Sequence, residues 1–128
     1  MPVFADGRIP VSVVADEAGL RASLAARPGA ALLAEAAPAT LPPGVVATAG
    51  FDPAAPHPVA CTCCVGRSPL AQALDALFLA RVKGQAKWFT RVVALLPAEE
   101  ARIALDEALR GDSVVASRYR PDVAPPEG

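Results

Sequence analysis

Short apolar runs alternate along this chain with stretches whose apolar residues recur every three or four positions. The runs read as strands and the periodic stretches as helices. Residues 9–15, β-branched and opened by a proline, predict a first strand. Asp16 is placed to cap a helix from Glu17 to Ala26 with Leu20 and Leu24 inward, which Arg27-Pro28-Gly29 stops. Ala30–Ala34 is apolar throughout, as a strand covered on both faces of a parallel sheet must be. Residues 36–58 are punctuated by prolines, and only residues 45–48 within them resemble a strand.

A second helix is expected from a Ser68 cap, with Pro69 at its first position and Leu70, Leu74, Leu77 and Phe78 on one face. It ends near Val82 with Gly84 as the stop. Residues 88–96 form the clearest strand pattern, so Trp88 and Phe89 read as packing residues. Pro97-Ala98-Glu99-Glu100 opens a third helix, with Ala101, Leu105, Ala108 and Leu109 inward and Gly111 at its end. Residues 113–117 are expected to be a last short strand or an extended segment. Alternating strands and helices predict an α/β fold, a three-layer sandwich around a mainly parallel sheet. One domain is expected over residues 1–120, followed by a disordered tail over 121–128.

Composition narrows the function classes. A chain of 128 residues, 53% hydrophobic and 20% charged, suits one globular domain. A net charge of −1 supplies no general field for nucleic acid, which is not expected as a partner. No apolar stretch approaches the ~18 residues of a membrane span, and the first residues lack a secretory pattern. A cytoplasmic protein without membrane association is expected. Arg67, Arg81, Lys83, Lys87 and Arg91 face the single acid Asp75 in their stretch; they read as a solvated helix face and its exit loop. Glu99-Glu100 and Asp106-Glu107 read likewise as solvated. No catalytic constellation is recognisable, and the only histidine lies in no nucleophile-elbow context.

The chemistry gathers in Cys61-Thr62-Cys63-Cys64, which holds every cysteine of the chain. An odd number of crowded thiols makes a poor disulfide framework and fits a reducing compartment. Cys-x-Cys puts two sulfurs on one side of an extended stretch, and a turn at Cys64 would add the third. Arg67 and a helix start downstream both favour the thiolate. Three thiolates leave one position on a tetrahedral ion, and zinc or another thiophilic divalent ion is the expected cofactor. His57 and Glu35 are the candidates for the fourth position; each also reads as an ordinary exposed side chain, and a protein client could supply the ligand instead. Thiol redox and small buried thiols of no functional consequence remain open alternatives.

Ala60-Cys61-Thr62-Cys63-Cys64-Val65-Gly66-Arg67, with the strand–helix–strand order before it and Phe89-Thr90-Arg91-Val92-Val93 after it, resembles the first half of the CobW-type metallochaperone GTPases. That resemblance implies a P-loop-GTPase-like fold and a metal-carrying role through the cysteines. The family's P-loop, however, corresponds to Asp16-Glu17-Ala18-Gly19-Leu20-Arg21-Ala22-Ser23, which has one glycine, no lysine and two carboxylates. Anions there oppose a triphosphate. Nor does an Asn-Lys-x-Asp motif occur. A shortened relative that keeps Cys-x-Cys-Cys is therefore expected, a pseudo-GTPase binding no nucleotide. Its partners would be a metal ion and a protein client or a second copy. A non-catalytic module docking on a full-length GTPase or a metal client is the alternative.

Overall fold

The computed structural model describes residues 8–35, 42–51 and 69–122. They form an α/β sandwich in the order β1 (Ile9–Val14), α1 (Glu17–Ala26), β2 (Ala30–Ala34), β3 (Val45–Gly50), α2 (Pro69–Val82), β4 (Val92–Leu95), α3 (Glu99–Gly111), α4 (Ser113–Arg118) and β5 (Tyr119–Pro121). The five strands lie side by side as β3-β2-β4-β1-β5, and every pair is parallel. β4 pairs with both β2 and β1, Val92 standing level with Ala31 on one side and Val11 on the other.

Alternation along the strands sorts the core into two layers. Ala31, Leu33, Val92 and Ala94 face α2, α3 and α4, with Leu74, Leu77, Leu105 and Val115 packed on them. Leu32, Ala34, Val93 and Leu95 face the other way, toward Leu20 and Leu24 of α1. β2 and β4 are thus buried on both faces, which is why they read as unbroken apolar runs.

The helix stops match their sequence signals. Gly84 adopts φ +76° two residues after the end of α2, a conformation a side chain would strain. Gly29 does the same, with φ +88°, between α1 and β2.

Several expectations need correction. The strand expected over 88–96 is shorter, because β4 begins at Val92. Phe89 is buried, but Trp88 stands 64% exposed and so is no packing residue. Residues 113–117 are helical rather than extended, because Asp112 accepts from the amides of Val114 and Val115 at 3.0 and 3.2 Å and starts α4. Pro121 belongs to β5 rather than to a tail: it stands level with Val11. The Asp122 amide also donates to the Val11 carbonyl at 2.9 Å. Residues 123–128 lie outside the described residues.

Arg91 is the one buried charged residue among those described, not part of a solvated face. Its guanidinium donates to the Ser23 hydroxyl at 3.0 Å, to the Ser23 carbonyl at 2.7 Å and to the Arg27 carbonyl. It therefore closes the carboxyl end of α1, where free carbonyls and the helix dipole favour a cation. Burial, and after it the nearby Arg27, lowers its pKa from the ordinary value. Replacing Arg91 by Met should lower stability by about 2 kcal/mol, the size of a lost charged hydrogen-bond set. Urea denaturation checks this.

Tyr119, the single tyrosine, donates to the Leu74 carbonyl at 2.6 Å from a fully buried position. Burial first, then the charge of Asp75, pushes its pKa up. The folded state therefore keeps a proton that the unfolded chain releases at about pH 10. The sign is negative: stability should fall as pH rises above that value, and Tyr119→Phe should remove this part of the alkaline slope. Melting temperatures across the alkaline range, for wild type and variant, check it.

Candidate functional site

A parallel sheet exits every strand at one edge. Here Ala15-Asp16 follow β1, Glu35 follows β2, Phe51 follows β3, and Leu96-Pro97 follow β4. α1, α2 and α3 all begin at that carboxyl edge. Ligands of open α/β sheets bind along this edge, where loops gather and helix amides point outward.

A crevice of about 270 Å³ opens there on the α2–α3 side. Phe51, Leu70, Ala101 and Ala104 give it an apolar lining, while Glu35 and Glu100 contribute the carboxylates. β2 and β4 are neighbours in the sheet, which brings the residue after β2 beside the first turn of the helix after β4. Glu35 is the sequence-derived ligand candidate that the structure places. Glu100 was read as a solvated acid. Its place beside Glu35 follows from strand order, for which linear spacing carries no signal.

Cys61, Cys63, Cys64 and His57 fall in residues 52–68, outside the described residues, as does the Ser68 cap. The two ends of that segment are described: it leaves Phe51 and returns at Pro69, and both border the crevice. Among the described residues no group of three His, Cys, Asp or Glu side chains is arranged to hold a metal ion.

The turn from β1 into α1 has a definite geometry. Only Ala15 and Asp16 separate β1 from α1. The Asp16 carboxylate accepts from the Gly19 amide at 2.7 Å, so an internal anion takes the place at the helix start that a phosphate would need. A Cβ on Gly19 would lie 3.3 Å from both that carboxylate oxygen and the Val14 Cβ, so a side chain there would require those neighbours to give by a few tenths of an ångström. Arg21 lies over Glu17 at 3.7 Å in an exposed i, i+4 pair on the helix surface.

At the opposite edge, Arg81 lies 3.5 Å from the Trp88 ring centroid, a cation–π stack on an exposed indole. Burial lowers the Arg81 pKa from its ordinary value. Among the described residues no helix is long and apolar enough to cross a membrane. Comparison with protein-family models, curated proteins and solved structures gives no match to this chain.

Asp16→Ala should cost about 1 kcal/mol by uncapping α1. It should not create a triphosphate site, because no lysine or glycine-rich loop replaces the carboxylate. Thermal denaturation with and without GTP and magnesium checks both outcomes.

Proposed function

We propose that this chain is a metal-binding, CobW-like protein without GTPase activity, a cytoplasmic carrier or sensor that holds zinc or a similar thiophilic ion through Cys61, Cys63 and Cys64. One observation carries the reading: the residues that flank the cysteine segment, Phe51 after β3 and Pro69 at the start of α2, border a crevice at the carboxyl edge of an all-parallel sheet. Sulfur donors spaced Cys-x-Cys-Cys suit a soft or borderline ion, and an oxygen or nitrogen donor would complete a tetrahedron. Glu35 borders the same crevice as Phe51 and Pro69, the residues that flank the segment, which favours it as a donor. His57 is carried on the segment itself.

The absence of GTP hydrolysis from the proposal rests on Asp16. Its carboxylate occupies the α1 amide and would repel phosphate oxygens at contact range. The resemblance to CobW-type proteins rests on the residues around the cysteines and predicts transfer of the ion to a client.

A second reading, a non-catalytic docking module, is favoured by the exposed Trp88–Arg81 stack. Tryptophan and arginine are the side chains that most often anchor protein interfaces.

Metal analysis of protein purified under reducing conditions, wild type against the triple Cys→Ser variant, tests the main proposal. About one thiophilic ion per chain is expected in the wild type and none in the variant. Equal metal content in the two would sink it. Glu35→Gln should weaken retention against a chelator if Glu35 is the fourth donor, and leave it unchanged if His57 or a client is.

A further inference from the structure

Among the described residues two arginines lie over aromatic rings, and the two stacks differ in one respect. Arg118 of α4 sits 4.4 Å from the Phe78 ring centroid and 3.7 Å from the Asp75 carboxylate. Arg81, in the last turn of α2, sits 3.5 Å from the Trp88 centroid and 5.5 Å from that of Phe89. No carboxylate reaches Arg81 among the described residues, and its buried Nε has no acceptor there. The first stack is complete. The second lacks its anion.

The rings fix the Arg81 guanidinium before any anion arrives, so little freedom is lost when its planar fork takes up a carboxylate. Burial lowers its pKa, which marks a charge partly stripped of water and weakly screened. The surroundings carry one sign. Residues 76–98 contain no Asp or Glu, and Lys83 and Lys87 stand exposed on the turn that leads from α2 to Trp88. Asp75, the nearest acid before that stretch, is paired with Arg118. Val82 and Trp88, which bracket the same turn, are the most exposed large apolar side chains among the described residues.

We propose that this turn is the docking site for an acidic segment of a partner protein, which sets a carboxylate on the Arg81 guanidinium and an apolar side chain against Trp88. The inference deepens the docking reading and rests on it. Charge complementarity selects the partner: what Arg81 lacks is the group that Arg118 has, and Lys83 and Lys87 would steer an acidic segment toward it. A nucleic acid is disfavoured. Arg81 already covers one face of the indole on which a base would stack, and three cations neutralise few phosphates.

Trp88 is the only tryptophan of the chain, so its emission reports this site alone. The full chain, purified under reducing conditions, is titrated with a peptide of glutamate interspersed with leucine and glycine. A second titration uses the same peptide with glutamine for glutamate. The acidic peptide should shift Trp88 emission to the blue and shield it from acrylamide, and added salt should weaken its binding. Peptide anisotropy should show binding about tenfold weaker for Arg81→Lys, which keeps the charge and loses the planar fork. The double variant Lys83→Glu with Lys87→Glu changes only exposed side chains. It should keep the melting temperature and weaken binding by a similar factor. Equal binding of the glutamine peptide would overturn the acidic assignment while leaving the docking reading in place. No response of Trp88 to either peptide at millimolar concentration would overturn both. Tighter binding of oligouridylate or of phosphatidylserine vesicles would put phosphate in place of carboxylate and overturn the proposal. So would acidic-peptide binding indifferent to Arg81→Lys and to the double variant.

Discussion

All five strands point the same way, so every connection leaves the sheet at one edge and re-enters at the other. This single constraint organises the molecule. It requires crossovers long enough to hold helices, and those helices must cover both faces. It also collects the residues following β1, β2, β3 and β4 at a common rim, although they come from positions spread over most of the chain. The crevice beside Glu35 and the ends of the cysteine segment follow from that geometry.

Among the described residues the two faces of the sheet are not equally covered. α2, α3 and α4 share the larger layer, while α1 alone contributes Leu20 and Leu24 to the smaller. α1 compensates with polar fixtures at its two ends. Asp16 satisfies an amide at its start, and Arg91 reaches from just before β4 to satisfy carbonyls at its finish. Hydrogen bonds to a buried charge resist strain better than a few leucines would, because their geometry has direction. The same Asp16 contact that secures the helix removes its value as a phosphate seat. Support for the fold and loss of nucleotide chemistry thus share one carboxylate.

The bounds of α1 and β2 and the inward faces of α1, α2 and α3 were legible in the sequence, because capping, stop signals and periodicity are local. The parallel sheet was legible too, from strands apolar on both sides. What failed was decided by contacts that the apolar pattern does not report, some of them local and some distant. Trp88 and Phe89 are adjacent aromatics, yet one is open to solvent and the other enclosed, since β4 starts only at Val92. Val114 and Val115 read as extended until the Asp112 carboxylate is seen to collect their amides. Arg91 sits within a basic stretch, and only the position of α1 shows why a cation is enclosed there. Of the candidate site, Glu35 was legible, whereas Glu100 reaches it only because β2 and β4 are neighbours.

Of the described strands β1 is made first, and it lies between β4 and β5, the last two of them. During synthesis its two flanks remain without neighbours until nearly all of the described chain has left the ribosome, and Asp122 then ties down Val11 and Ser12. Such long-range closure slows folding and prolongs the life of sticky partial structures. Nascent chains of this protein are thus expected to lean on chaperones, and loss of only the final few paired residues would leave the earliest strand open on one side.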